Sequence, residues 1–254
     1  MRIDLNCDMG ESFGVYRLGA DDDAMLELVT SANVACGFHA GDPRIIDRTV
    51  SLAAQHGVAV GAHPSHHDLR GFGRRAITAS PDEVEADVVY QVGALWTFAR
   101  SHGVPLVHVK PHGALYNQAV NDEELAAAIA RGVARVSRDL VFVGLATSAV
   151  MRTAAQSSGL LFAGEAFADR AYNPDGTLQS RRIEGSVITD PERAASQAVS
   201  IACENRVTAH DGTAVALEAE TLCLHGDNPA ALDNARIVRK ALEKNGVEVR
   251  ALAA

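Results

Sequence analysis

Short apolar runs alternate along this chain with longer amphipathic stretches, and turn residues mark most of the boundaries. Residues 2–8, Arg-Ile-Asp-Leu-Asn-Cys-Asp, alternate apolar and polar side chains with the two-residue period of a strand, then break at Gly10 and Gly14. A helix is expected over 20–29, a second strand over 31–38, and a helix over 43–56. That helix has Asp42 at its N-cap, Pro43 in its first turn and Gly57 just past its end. Residues 58–62 predict a third strand, followed by a polar, glycine-containing loop over 65–75. Ser80-Pro81-Asp82-Glu83 is a capping box that opens a helix to about His102. The fourth strand starts at Leu106 and stops at Lys110-Pro111, because proline cannot donate to a sheet ladder.

The second half repeats the pattern. Asn121 and Glu124 suggest a capping box for a helix to about Val136; strands are expected over 140–146 and 160–165, with a short helix between them. A polar loop over 172–188 follows, and its length marks it as functional, a lid expected to order over the site. Asp190-Pro191 starts another helix, and Asp211-Gly212 between apolar alternations predicts an inserted β-hairpin at 207–218. A seventh strand covers 221–224. The helix after Asn228-Pro229 carries Leu232, Ala235, Val238 and Leu242 on one side, and a short strand ends the chain.

Strand and helix alternate without a linker or a shift in composition, which predicts one domain over residues 1–254 and a parallel sheet with right-handed crossovers. Seven or eight units in this length fit an α/β fold of the closed (β/α) TIM-like barrel kind better than an open doubly wound sheet. No GxGxxG or GxxxxGK[ST] opens a helix, so the usual nucleotide motifs of open sheets are missing.

Composition narrows the function. The formal net charge of −9 argues against a nucleic-acid surface, so an anionic ligand needs a local cluster of cations. Four cysteines lie far apart with no CxxC, which speaks against a disulfide framework or zinc ribbon and for a reducing cytoplasm. No apolar run approaches the roughly 20 residues that span a bilayer, and the first residues enter a strand rather than a signal peptide.

In a barrel, chemistry collects at the C-terminal strand ends. Those ends carry Asn6, Asp8 and Glu11; His39 and Asp42; His63; Lys110 and His112; Glu165, Asp169 and Arg170; His225 and Asp227. Some have plain structural explanations: Asp42 and Asp227 precede prolines as helix caps, and Cys7 and Cys36 suit small buried fillers. Lys110, at the end of an apolar strand, needs an anionic partner from Asp8, Glu165 or a substrate carboxylate. His39, His63, His112 and His225 with Asp8 would compose a cluster for zinc or manganese; neutral histidines bonded to a substrate amide account for the same residues.

Seven ordered segments carry a resemblance. They are Asp4-Leu-Asn-Cys-Asp-Met-Gly-Glu-Ser-Phe-Gly14, Asn33-Val-Ala-Cys-Gly-Phe-His-Ala-Gly-Asp-Pro43, Gly61-Ala-His-Pro64, Gly71-Phe-Gly-Arg-Arg75, Val109-Lys-Pro-His-Gly-Ala-Leu-Tyr-Asn117, Glu165-Ala-Phe-Ala-Asp-Arg170 and His225-Gly-Asp-Asn-Pro229. Together they resemble the LamB/YcsF family essentially end to end. One departure is Ser65-His66-His67-Asp68, where the family pattern places an aromatic residue and a proline before the aspartate.

The resemblance implies a barrel related to the glycoside hydrolase/deacetylase group. It also implies an ATP-dependent opening of 5-oxo-L-proline to L-glutamate, with ATP carried as its Mg2+ complex and two further subunits, B and C, as partners. No resident transition metal, nucleic acid or membrane is expected. On this reading Asp8 or Glu11 is the general base, Lys110 and His112 stabilise charge on the lactam oxygen, and Arg170 meets the substrate carboxylate. Asn6, His39, Asp42, His63, Glu165, His225 and Asp227 are expected around the substrate. Two other readings stay open: a metal-dependent amidase or deacetylase, and a small-molecule-binding subunit without chemistry of its own.

Overall fold

The computed structural model describes residues 1–19, 21–224 and 231–252. In chain order the elements are β1 (Arg2–Met9), α1 (Asp22–Leu26), β2 (Ser31–Ala35), α2 (Pro43–His56), β3 (Ala59–His63), α3 (Pro81–Ser101), β4 (Leu106–Val109), α4 (Gly113–Ala119) and α5 (Glu123–Val136). They continue with β5 (Val141–Leu145), α6 (Ala149–Ser157), β6 (Leu161–Phe167), α7 (Pro191–Glu204), β7 (Arg206–Thr208), β8 (Ala214–Ala216), β9 (Thr221–Leu224), α8 (Ala231–Lys244) and β10 (Glu248–Val249).

Strand β1 closes the sheet. It pairs in parallel with β2 on one side, Asn6 opposite Ser31, and with β9 on the other, Leu5 opposite Leu222. The order β1-β2-β3-β4-β5-β6-β9 and back to β1 makes a closed barrel of seven parallel strands. Strand β10 pairs only with the first residues of β1, Arg2 and Ile3, and stays outside the ring. β7 and β8 form a separate antiparallel pair.

The alternation in β1 divides two kinds of packing. Leu5, Cys7 and Met9 are buried in the apolar layer, with Val50, Val88 and Ile129 of the surrounding helices. Burying each large side chain there contributes roughly 1.5–3 kcal/mol. Asp4, Asn6 and Asp8 instead turn toward neighbouring strands inside the ring. Asp4 accepts from the hydroxyls of Thr30, Ser31 and Thr221, and Asn6 donates to Thr221 and Glu165. A polar, hydrogen-bonded interior therefore replaces the branched aliphatic layers usual in such barrels.

Several boundaries depart from the sequence expectation for local reasons. β2 stops at Ala35 because Gly37, at φ 95°, turns the chain and donates its amide to the Ala40 carbonyl. The cap of α5 is Asp122, which accepts from the Leu125 amide, rather than Asn121. A further short helix, α4, follows directly on β4. Asp42 caps α2 as expected, accepting from the amides of Arg44 and Ile45, and the Ser80–Glu83 capping box of α3 is complete.

The segment after β6 is more ordered than a free lid. Arg170 reaches across it to the carbonyls of Ser186 and Gln179, at 3.2 and 2.6 Å. Tyr172 is fully buried, and its hydroxyl oxygen accepts from the Phe167 amide. Isolated bridges tie Arg170 to Val187 and Tyr172 to Leu178. No helix among the described residues is long and apolar enough to cross a membrane.

Candidate active site

A cleft of about 780 Å3 opens beside the strand ends, and Asp8, His63, Lys110, His112 and Arg170 contribute to its wall. The local backbone explains why β4 can deliver three polar side chains here. The β3–β4 pairing continues past the proline, with the Lys110 amide donating to Ala62 and the His112 amide to Pro64. Pro111, lacking an N–H, falls at a position where none is required. Alternation thus survives, and His108, Lys110 and His112 share the inner face. Gly61 is needed opposite them, because a Cβ there would collide with the His108 ring. At the rim, Gly113 (φ 57°) allows the 65–75 loop to press onto the start of α4, where the Ala114 amide donates to the Gly73 carbonyl.

Lys110 is the hub of the floor. Its ammonium lies 2.9 Å from Glu165 Oε1, 3.0 Å from Asp8 Oδ1, 3.0 Å from Cys223 Sγ and 3.3 Å from Asn6 Oδ1. Burial alone would discharge the amine, but the attraction of its neighbours, Asp8 foremost, raises its pKa well above the usual lysine value. The Cys223 thiol beside it is pushed well up by burial and stays protonated. With its donors committed to protein acceptors, Lys110 has none to spare for a lactam oxygen.

Asp8 is fixed from two sides. Oδ1 accepts from Lys110 and, at 2.9 Å, from Asn33 Nδ2, while Oδ2 stands 3.2 Å from His63 Nε2. Asn33 also donates to Asn6 and accepts from His108 Nε2 at 2.7 Å. His108 must therefore carry its hydrogen on Nε2, and burial, then Lys110 and His63, lower its pKa to about 3.

Behind the cleft wall stands a second cluster. His63 donates its Nδ1 hydrogen to the Lys110 carbonyl at 2.7 Å, and His112 donates its Nε2 hydrogen to the Phe72 carbonyl at 2.9 Å. The remaining nitrogens, His63 Nε2 and His112 Nδ1, face each other at 3.0 Å. Glu11 Oε1 lies 3.6 Å from His112 Nδ1 and 3.2 Å from His39 Nε2. The His39 and His112 rings stack at 3.7 Å, nearly parallel. Burial first, then their imidazole neighbours, holds both well below the usual histidine pKa.

The expected site residues thus fall into groups. Asp8, His63, Lys110, His112 and Arg170 reach the cleft, while Asn6 and Glu165 lie buried beneath it. Glu11 and His39 sit behind the paired histidines. Asp42 is occupied by the amides of Gly14, Arg44 and Ile45, which is a capping and loop-holding role rather than a substrate contact. It also holds the Gly14 amide, as Asp22 holds the Gly10 amide. The Arg170 guanidinium is bonded to carbonyls of its own loop. His225 and Asp227 lie outside the described residues.

Other members were not anticipated. Asn33 was marked by being a polar residue within an apolar strand and by opening one of the resembling segments, with no role assigned to it. Phe72, at φ 55°, presents its carbonyl to His112 from a left-handed conformation that costs a non-glycine residue of the order of 1–3 kcal/mol. Arg74, Arg75, Arg181 and Arg182 bring further cations to the cleft, Arg75 being paired with Asp68. That aspartate also accepts from the Gly71 amide, so the Ser65–Asp68 departure still anchors the loop.

Comparison with known proteins agrees over nearly the whole length. A 5-oxoprolinase A-subunit from Symbiobacterium thermophilum is 56% identical over 250 residues, 98% of this chain and 95% of that protein. One from Pyrococcus abyssi is 51% identical over 249 residues, 98% and 97% of the two chains. The crystal structure of a lactam utilization protein from Thermus thermophilus superposes with a TM-score of 0.93 at 51% identity, covering 99% of this chain and 100% of that one. With the family model matching residues 3–254, this chain belongs to the LamB/YcsF family.

Proposed function

We propose that this chain is the A-subunit of an ATP-dependent 5-oxoprolinase, opening the lactam of 5-oxo-L-proline to L-glutamate in the cytoplasm together with subunits B and C. The observation that carries the reading is Asp8, a carboxylate fixed at the cleft floor between Lys110 and His63, in a chain 56% identical to a protein of that name.

A lactam carbonyl is a poor electrophile, and ATP supplies the activation. Transfer of the γ-phosphoryl group forms an O–P bond at the lactam oxygen and releases ADP. Water then adds to the ring carbon, Asp8 takes its proton, and the C–N bond breaks as the nitrogen is protonated. This leaves an acyl phosphate and a free amine. A second water releases phosphate and glutamate, so two waters are consumed in all. Asp8 suits the base role because its neighbours hold it in one orientation at the cleft. Lys110 serves by holding Asp8. ATP, as its Mg2+ complex, is a co-substrate; Arg74, Arg181 and Arg182 give the cleft wall the cationic character that a polyphosphate and a carboxylate need. In the acidic chain as a whole, that concentration of arginines supports an anionic ligand.

Reconstitution tests the reading. The purified chain is mixed with candidate B and C subunits, 5-oxo-L-proline and Mg-ATP, and glutamate and ADP are followed. Equal release of both, requiring all three subunits, is expected. ADP release without glutamate, or glutamate release without ATP, would overturn it.

A further inference from the structure

We infer that His63 Nε2, His112 Nδ1 and Glu11 Oε1 form a binding site for a single divalent transition-metal ion of the zinc class. The inference rests on where the hydrogens are. A backbone carbonyl can only accept, so the bonds to the carbonyls of Lys110 and Phe72 fix the hydrogen of His63 on Nδ1 and that of His112 on Nε2. In the neutral rings both inward nitrogens carry lone pairs, and they face each other at 3.0 Å. Glu11 Oε1 lies 3.6 Å from His112 Nδ1, and ligand atoms of Glu11, His63 and His112 all fall within 4.8 Å of one another, so a carboxylate oxygen joins the same junction. The neutral imidazoles thus offer two lone pairs beside a carboxylate oxygen, a donor set that a zinc-class ion takes.

The spacing suits an ion. Ligands about 2.0–2.1 Å from a tetrahedral zinc are separated by about 3.3 Å, which lies between the separations of 3.0 and 3.6 Å just given. Carbonyl acceptors on the outer nitrogens are the usual means of orienting metal-bound imidazoles, and here one acceptor is the strained Phe72. His39 contributes differently. Stacked face to face on His112 at 3.7 Å, it cannot aim an in-plane lone pair at the same ion, and instead donates from Nε2 to Glu11. The set therefore differs from the cluster read from the sequence: Glu11 enters, His39 moves behind it, Asp8 stays with Lys110, and His225 lies outside the described residues.

His63 and His112 both touch the cleft, so an ion held by them would be open to a ligand from that side. It would act as a Lewis acid toward a carbonyl or phosphoryl oxygen. Only that role rests on the ring-opening reading; metal binding does not.

Binding is measured without reference to activity. The full chain is stripped with a chelator and titrated with Zn2+ by calorimetry, beside His63→Gln and His112→Gln variants checked for cooperative melting. One Zn2+ per chain is expected, weakened at least about 100-fold in either variant. Zinc-edge X-ray absorption on the wild-type chain covers the case of a variant that does not fold, and nitrogen and oxygen donors at about 2.0–2.1 Å, two of them imidazole, are expected. Absence of stoichiometric binding, undiminished binding in folded variants, or sulfur in the coordination shell would overturn the site. So would a proton shared between the two imidazoles, seen by NMR in a chain that takes up no zinc. Loss of glutamate formation with intact zinc binding would count against the ring-opening reading alone.

Discussion

Lys110 and Glu165 form an ion pair of 2.9 Å with Glu165 wholly shielded from solvent, directly beneath the carboxylate of Asp8. Of the partners that the sequence offers Lys110, Asp8 and Glu165 already match its charge, and that charge holds the barrel interior together. In the proposed function the reactive group is Asp8, which Lys110 props into the cleft.

Removing that cation should be costly. Lys110→Met keeps much of the stem but leaves Glu165 and Asp8 without their counter-charge, and breaking a buried pair in this way costs about 3–5 kcal/mol. Adding Glu165→Gln should recover part of the loss. Urea denaturation of the single and double variants measures both terms. A Lys110→Met protein within about 1 kcal/mol of wild type would contradict this account of the floor.

Much of this arrangement was legible in the chain. The caps at Asp42 and Ser80, the strand cores and the alternation of β1 are local signals, and they produced the barrel. Alternation alone does not say which face meets helices and which meets the ring, so the polar interior through Asn6, Asn33 and Glu165 became visible only when β1 closed against both β2 and β9. The His63–His112 junction depends on the carbonyls of Lys110 and Phe72, backbone groups that no side-chain pattern announces. The order within the 170–188 segment was hidden for a related reason, since Arg170 holds it through main-chain carbonyls.

His108 makes stability depend on pH. Its pKa is about 3 in the folded chain, mainly through burial, against about 6.5 when unfolded. The unfolded state binds the proton more readily, so this contribution is full above pH 6.5 and is lost as pH falls toward 3. Between pH 7 and 5 the wild-type chain should lose about 2 kcal/mol more than a His108→Gln variant. Parallel stability profiles for the two proteins would refute the assignment.

Arg170 should act on its own loop. In Arg170→Met the carbonyls of Ser186 and Gln179 lose their partner, and trypsin cleavage after Arg181 or Arg182 should accelerate by about tenfold, equivalent to losing ~1.4 kcal/mol of local protection. Cleavage at the wild-type rate would show that the guanidinium does not hold the segment.

The central claim is that Asp8 moves the proton of the attacking water, and the isosteric Asp8→Asn variant tests it most directly. Asparagine can still accept from Lys110 and Asn33 but cannot take up a proton. In single-turnover assays of the assembled three-subunit complex with Mg-ATP, glutamate formation should fall by about 10²–10⁴-fold while the variant chain still melts cooperatively. A rate within about threefold of wild type would contradict the claim and remove Asp8 from the chemistry.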